Sequence, residues 1–141
     1  MADTLQLQIV TPDRLLVRED VEQVQMPGKN GELGILPGHA PLITELKIGE
    51  ISYRVGTMTQ YLAVAWGFAE VLPDKVTILA AAAERAEDID VKRAQEAKVR
   101  AEEALQRAAA DLDYDATLLA LRRAEVRLEV AARAGHTAAA H

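Results

Sequence analysis

Arginines in the second half of the chain are the side chains best suited to binding chemistry. Eight of the eleven arginines follow residue 83. Arg93 and Arg100 are seven residues apart and would share one face of a helix, while Arg123 and Arg127 form an i,i+4 pair. Guanidinium groups bind phosphate oxygens in pairs. If two helices carrying these residues pack antiparallel, the four arginines could surround one phosphate chain.

The competing interpretation is that these arginines form surface ion pairs on an alanine-rich helix. Glu96 and Arg100 are spaced for such a pair, which contributes about 0.3 to 0.5 kcal/mol. This explanation is weaker for Arg122 and Arg123 beside Arg127, because we expect too few acids near them on the same helix. Both interpretations stay open at this point.

Other catalytic chemistry has few candidates. Ser52 is the only serine and cysteine is absent. Two of the three histidines, His136 and His141, lie in a Gly- and Ala-rich tail, and the third is His39. We therefore expect no catalytic residues and no enzyme active site. A small enzyme that uses Asp and Glu residues remains the least favoured hypothesis.

Cofactor motifs are also missing from the sequence. The glycine-rich stretch 31–38 is not followed by Gly-Lys-Ser/Thr, so it is neither a P-loop nor a dinucleotide fingerprint. The acids Asp111, Asp113 and Asp115 lack the glycine and terminal glutamate of an EF-hand loop. We expect no structural metal and no redox cofactor.

The amino-acid composition argues against several further classes of protein. Lys+Arg 16 against Asp+Glu 22 gives a net charge of −6, which argues against a nucleic-acid partner. Absent cysteine excludes disulfide scaffolds and thiolate metal sites. No apolar run approaches the roughly 18 residues of a membrane span, and the N-terminus lacks signal-peptide features. We expect a soluble protein that stays on the side where it is made.

The elements that must position the arginines fall into two compositional halves. All five prolines and seven of the eight glycines precede residue 74, so the first half is expected to form short strands and the second half helices. We place the boundary near residues 83 to 88. Leu5, Leu7 and Ile9 alternate with polar residues, and Asn30-Gly31 indicates a tight hairpin. Further strands are predicted at 51–55, 61–66, 69–72 and 76–81, which favours a sandwich or flattened barrel.

Two antiparallel helices are predicted after the boundary. Residues 88–90 offer an N-cap, followed by alanines at three- and four-residue steps from Ala94 to Ala108. Residues 111–115 interrupt the pattern before a second periodic segment begins. Alanine side chains bury little area, so the contact should be weak. Leu119, Val126 and Val130 form a second apolar stripe, which indicates another binding surface or a second conformation.

One sequence run connects these elements to a known family. The stretch Gly31-Glu-Leu-Gly-Ile-Leu-Pro-Gly-His-Ala-Pro-Leu42, together with segments 10–13, 67–71 and 76–79, resembles the epsilon subunit of bacterial rotary ATP synthases. The resemblance covers nearly the whole chain. It implies an α+β fold with an N-terminal flattened ten-stranded β-sandwich at residues 1–86. A C-terminal antiparallel two-helix hairpin at 87–134 and a disordered tail at 135–141 would follow.

The resemblance also implies a function without an active site. Such subunits belong to the rotor, contact the gamma subunit and the c ring, and regulate ATP hydrolysis through mobile C-terminal helices that meet the beta and alpha subunits. Since the first strand begins near Met1, no transit peptide is expected. We therefore expect a bacterial protein at the inner (plasma) membrane, peripheral on the cytoplasmic side, held there only through its partners. A stand-alone ATP-sensing module is the alternative hypothesis.

Three sets of site residues follow from the resemblance. Glu32 and His39 match c-ring contacts, although they could equally be a solvated turn residue and a packed loop histidine. The segment 89–94 matches the pattern Ile/Leu-Asp-x-x-Arg-Ala of family members that bind ATP as a regulatory ligand, and whether Mg²⁺ accompanies the ATP stays open. The implied nucleotide-binding residues are Glu84, Ile89, Asp90, Arg93, Ala94, Arg100, Arg123 and Arg127. The implied contacts with the catalytic head are Arg122, Arg123, Arg127 and Arg133.

Overall fold

The chain divides into two compact units, Met1–Arg85 and Ala86–His141. The structure is a computed structural model that describes residues 3–107 and 113–139, and for 135–139 it describes the backbone alone. The two units are described separately below.

The first unit is a β-sandwich that contains eight strands within the described residues. The predicted α+β class, with a β-sandwich followed by two helices, is confirmed. The strands are β1 (Leu5–Val10), β2 (Leu15–Val21), β3 (Gln23–Gly28), β4 (Gly31–Ile35), β5 (Leu42–Leu46), β6 (Gly49–Val55), β7 (Met58–Leu72) and β8 (Lys75–Arg85).

The sheet runs in the order β2-β1-β8-β7-β5-β3-β4, and β6 joins β3 to β7. The pairs are antiparallel except for β1 and β8, which are parallel with Gln6 opposite Lys75. Leu5, Leu7 and Ile9 point inward and are at most 1% exposed, as their alternation predicts. Burial of such side chains is the main favourable term in the folding of this unit.

The long strand β7 differs from the prediction. Segments 61–66 and 69–72 were expected to be separate strands, but they are parts of one strand with a bend at Trp66, whose φ is 55°. Before the bend β7 pairs with β6, and after it β7 pairs with β5. The described residues form eight strands where the resemblance implied ten, and this continuity accounts for one strand of the difference. Similarly, β8 continues past the predicted residue 81 to Arg85.

The predicted hairpin between β3 and β4 is present, but its turn is shifted by one residue. Gly28 lies opposite Gly31, so the central residues are Lys29 and Asn30 rather than Asn30 and Gly31. Gly31 has a φ of +139°, a conformation that L side chains rarely adopt. Among the described non-glycine residues, positive φ occurs at Trp66 alone. The positive φ in this turn therefore falls on Gly31 and not on Asn30.

The second unit is a helical hairpin. A 3₁₀ turn (Ala86–Asp88) precedes α1 (Val91–Arg107) and α2 (Tyr114–Ala139). The predicted interruption at residues 111–115 lies partly outside the described residues. We predicted that the hairpin ends at residue 134, but α2 continues to Ala139. Alanine, the best helix former, supplies Ala138 and Ala139 at this end and favours the extension.

The helices of this unit contact each other along a narrow apolar seam. On α1 the buried residues are Ala94 and Ala101, which lie seven positions apart on one face. On α2 the buried residues are Ala124, Val126, Val130 and Ala131. Because α1 contributes methyl groups rather than longer side chains, each contact buries little area.

We predict that Gly67→Ala destabilises the sandwich. A Cβ at this position would overlap the Leu79 carbonyl oxygen and lie 2.9 Å from the Ala80 Cα, so the backbones of β7 and β8 would have to separate. The expected loss in unfolding free energy is about 1 to 3 kcal/mol, measured by urea denaturation followed by far-UV circular dichroism.

Gly34→Ala is the matched control, because a Cβ there meets no atom within 4 Å. Equal stability of the two variants would contradict the close approach of β7 and β8 at Gly67.

Candidate functional site

The segment between the 3₁₀ turn and α1 carries the first predicted nucleotide-binding residues. The Asp90 carboxylate oxygen Oδ1 accepts a hydrogen bond from the Arg93 backbone N–H at 3.1 Å, and the Asp90 carbonyl accepts one from the Ala94 N–H at 3.0 Å. Asp90 is therefore the N-cap of α1, and the predicted cap within 88–90 is confirmed. Ile89 is buried with 7% exposure, while the Arg93 side chain is exposed.

The four arginines predicted to bind phosphate lie on the two helices of the hairpin unit. Arg93 and Arg100 each precede a buried seam alanine by one position, so both lie at the same edge of the α1 seam. Arg123 is exposed on α2, and Arg127, one turn later, is half-buried. Ala94, also among the residues predicted to bind the nucleotide, is fully buried in the hairpin. The nucleotide-binding roles stay predictions.

Arg122 corrects one step of the sequence reasoning. We expected too few acids near this arginine, but its Nη1 lies 3.4 Å from the Glu129 Oε1, two turns along α2. Both side chains are more than half exposed, so the pair contributes well under 1 kcal/mol. Arg122 and Arg133 are exposed on α2, as a contact with another subunit requires.

Glu84 belongs to the sandwich unit and not to the hairpin. It is the second-last residue of β8, lies opposite Ala63 of β7 and is half-buried. The other predicted nucleotide-binding residues, from Ile89 onward, belong to the second unit.

Glu32 and His39 lie in and after strand β4. Glu32 is exposed and lies opposite Pro27 in the β3–β4 hairpin. His39 is half-buried, and its Nδ1 lies 2.7 Å from the Ala40 carbonyl oxygen. The preceding Gly38 N–H donates to the Pro73 carbonyl at 2.7 Å, which ties this loop to the β7–β8 turn. The loop is thus held by backbone bonds, and the two side chains stay candidates for the c-ring contact.

An exposed apolar row on the sandwich was missed by the sequence reasoning. Leu15 lies opposite Val10, Val10 opposite Leu79, and Leu79 opposite Phe68, so the row crosses β2, β1, β8 and β7. Leu15, Leu79 and Phe68 are 48%, 55% and 56% exposed. Ile43 of β5 lies diagonally next to Phe68 and is 74% exposed. The sequence signal is the adjacent pair Ile78-Leu79, which places one large apolar side chain on each face of β8.

The end of β8 is held by a second group of residues that the sequence reasoning missed. Arg85 donates from Nη2 to the Leu16 carbonyl oxygen at 3.1 Å and from Nη1 to the Tyr53 hydroxyl at 3.4 Å. Tyr53 is 2% exposed, and its hydroxyl donates to the Glu19 carboxylate. Burial and the Glu19 carboxylate together raise the pKa of Tyr53 to about 12. We name Arg85, Tyr53, Glu19 and Leu16 the β8 anchor.

Across residues 3–107 and 113–134, no three His, Asp or Glu side chains are grouped in a way that could hold a metal ion. Of the helices that the structure describes, none has the length and apolar character needed to cross a bilayer.

Comparison with known proteins identifies the class to which this two-unit architecture belongs. Residues 4–86 match the family described as ATP synthase, Delta/Epsilon chain, beta-sandwich domain. Residues 87–132 match ATP synthase, Delta/Epsilon chain, long alpha-helix domain. The class is therefore the delta/epsilon chains of ATP synthases. Within it, the chain belongs to the epsilon subunit family of the F-type ATP synthases, which confirms the resemblance seen in the sequence.

Bacterial relatives support the same assignment. The ATP synthase epsilon chain of Koribacter versatilis is 74% identical over 106 residues, which cover 75% of each chain. That of Geotalea uraniireducens is 45% identical over 135 residues, covering 95% of this chain and 98% of the relative. A chain in the Euglena gracilis mitochondrial ATP synthase shares the fold with a TM-score of 0.69 at 22% identity, covering 100% of this chain and 84% of that one.

We predict that sandwich stability falls in strong alkali through Tyr53. Because the folded pKa of about 12 lies above the ordinary value of 10.0, the native state favours the protonated phenol. This contribution is complete below pH 10.0 and is lost as the pH rises toward about 12. Urea unfolding at a series of pH values would measure it.

Tyr53→Phe is the control, because it keeps the ring and removes the titrating hydroxyl. We expect this variant to lose less stability than the parent across the same pH interval. An identical decline in both proteins would show that other groups cause the alkaline effect.

Proposed function

We propose that this chain is a non-catalytic subunit of the ATP synthase central stalk that couples proton translocation to ATP synthesis and inhibits ATP hydrolysis through its C-terminal helices. We further propose that ATP binding stabilises the closed hairpin. The protein would associate peripherally with the cytoplasmic side of the bacterial inner membrane through its partners. Those partners are the gamma subunit, the c ring, and the alpha and beta subunits.

The observation that carries the regulatory proposal is the thin α1–α2 seam. Ala94 and Ala101 are the buried residues of α1, while α2 buries Val126 and Val130 against its surroundings in the closed state. A contact with so little apolar area is weak enough to open. Opening would expose these valines next to Leu119, which is already 46% exposed.

The opened α2 would then present an apolar face and a basic face together. Its arginines at positions 122, 123, 127 and 133 provide positive charge on the same helix. A helix of this kind suits an apolar groove with acidic residues nearby. In the synthase this groove would belong to the alpha and beta subunits, and its occupation would block rotation in the hydrolytic direction.

ATP would oppose this opening because it binds one of two states. A ligand that binds the closed hairpin but not the open one stabilises the closed state by about 2.7 kcal/mol when the ligand concentration is roughly a hundredfold above Kd. Arg93, Arg100, Arg123 and Arg127 supply guanidinium groups for the triphosphate. Asp90 already uses one carboxylate oxygen to cap α1, so a nucleotide would meet a carboxylate with a fixed orientation.

We predict saturable one-site ATP binding by the isolated protein, measured by isothermal titration with and without Mg²⁺. Arg93→Ala should weaken this binding about tenfold or more, because the substitution removes a charge-assisted phosphate contact.

In the assembled synthase, a chain with both Arg123→Ala and Arg127→Ala should lose the ATP dependence of hydrolysis inhibition.

Two further variants separate binding from helix stability. Asp90→Asn retains an N-cap side chain and removes the negative charge, so a loss of ATP affinity would indicate a ligand role beyond capping. Arg107→Ala removes an exposed arginine at the end of α1 that is outside the proposed site. Equal weakening by Arg107→Ala and Arg93→Ala would contradict a localised phosphate site.

The apolar row supports docking of the sandwich on another subunit of the stalk. Large adjacent apolar side chains on a sheet surface are typical of protein–protein contacts. We assign this row to the gamma subunit, and we assign the exposed Glu32 near the tip of the β3–β4 hairpin to the polar loops of the c ring, with His39 behind it. The stand-alone ATP-sensing module, our alternative, would need no such surface.

We predict that Leu79→Lys reduces the affinity for the gamma subunit about tenfold or more, since it places a charge in the middle of the row. The measurement is co-purification followed by a titration of the two isolated subunits. Met58→Lys, at an exposed apolar position outside the row, is the matched control. Undiminished binding of Leu79→Lys would refute the assignment of the row, and absence of any gamma binding by the parent would favour the stand-alone module.

A further inference from the structure

The boundary between the two units follows directly after the β8 anchor. The first unit ends at Arg85 and the second begins at Ala86. On the sandwich side, Arg85 is the last residue of β8 and lies opposite Leu62 of β7. Its guanidinium reaches back to the Leu16 carbonyl at 3.1 Å and to the Tyr53 hydroxyl at 3.4 Å. The last residue of the strand is therefore held by β2 and β6 as well as by its sheet neighbour.

On the other side of the boundary, the chain is held by the hairpin. Ala86 and Ile89 are buried with 4% and 7% exposure, and the 3₁₀ turn that begins at Ala86 packs on α2. Asp90 then caps α1. The hydrogen bonds given above for Arg85 thus lie within the first unit, and the contact of the 3₁₀ turn with α2 and the Asp90 cap lie within the second.

A strand end without such an anchor would be expected to fray. Residues 82–85 of β8 are half-buried, in contrast to the buried positions 76, 78 and 80 earlier in the strand. Strand ends of this kind open locally at low free-energy cost. A pull on Ala86 would then unzip β8 from β7, one backbone pair after another. A guanidinium bonded to two other strands resists this, because its bonds must break before the first pair opens.

We propose that Arg85 is a positioning residue that confines movement of the hairpin to the chain after residue 85, so that β8 stays paired when the α1–α2 seam opens. The inference rests on the proposed function, which supplies the opening. In this role Arg85 only holds the end of β8 in place. It needs no contact with a nucleotide or with another subunit.

The test is amide hydrogen exchange on the full chain in four proteins, namely the parent, Val130→Asp, Arg85→Gln and the double variant. Val130 has 0% exposure in the hairpin, so an aspartate there forces the seam open, and the exchange of the α1 amides reports the opening. With Arg85 present, Val130→Asp should leave protection of the amides in 82–85 unchanged. In the Arg85→Gln background, the same substitution should lower that protection about tenfold or more.

The effect of Val130→Asp on residues 82–85 should thus depend on whether Arg85 is present. If Arg85 merely stabilised the sandwich, Arg85→Gln would lower the protection equally with the seam open or closed. Arg54→Gln is the matched control, because Arg54 lies next to Tyr53 on β6 but pairs with Glu22 at 3.8 Å. Tyr53→Phe serves as a second, milder variant that should weaken the anchor in the same direction.

Three results would overturn the inference. One is loss of protection in 82–85 in Val130→Asp with Arg85 intact. Another is equal protection in Val130→Asp and the double variant. The third is a loss of protection caused by Arg85→Gln that is the same with the seam closed as with the seam open. None of these readouts uses ATP or the assembled synthase. A result that contradicts this inference can therefore be distinguished from one that contradicts the proposed nucleotide site or the proposed inhibition of hydrolysis.

Discussion

The pairing of β7 with its neighbours is the constraint on which the rest of the sandwich depends. This one strand pairs with β6 before Trp66, with β5 after it, and with β8 from Leu62 to Leu72. The bend needs a residue at positive φ, and the next residue must be glycine because the backbone of β8 passes too close for a Cβ. The register set there places Phe68 opposite Leu79 and Leu62 opposite Arg85. Both the apolar row and the β8 anchor follow from that register.

The helical unit is built on a different principle. Its seam depends on alanine in α1, which permits close approach of two helices and limits the free energy that the approach provides. A more apolar α1 would give a tighter hairpin with less scope for regulation. The Asp90 carboxylate caps α1 and is also a candidate ligand for a nucleotide. In the proposed function, helix capping and ligand binding would therefore use the same side chain.

The sequence predicts the type of each unit well because local patterns determine it. The alternation of Leu5, Leu7 and Ile9 and the alanine periodicity after Asp90 need no knowledge of distant contacts. The bend at Trp66 could not be predicted in this way, because a bulky residue at positive φ is unfavourable locally and is enforced by β5, β6 and β8 together. Residues 61–72 were consequently divided into two strands.

The same limit applies to the candidate sites. Asp90 was identified because capping is local, and Arg93 and Arg100 because helical spacing is regular. The bonds from Arg85 to Leu16 and Tyr53 join residues that are far apart along the chain, and a sequence gives no signal for them. The ion pair of Arg122 with Glu129 was missed because only nearer acids were considered.

The parallel pairing of β1 with β8 also has a kinetic consequence. The first and last strands of the sandwich are neighbours, so the sheet closes a long loop of chain and its contact order is high, which makes folding slow. The hairpin is made of contacts between helices that follow each other in sequence, and such elements form and separate much faster. After the opening proposed for the C-terminal helices, the hairpin would therefore re-form much faster than an unfolded sandwich could refold.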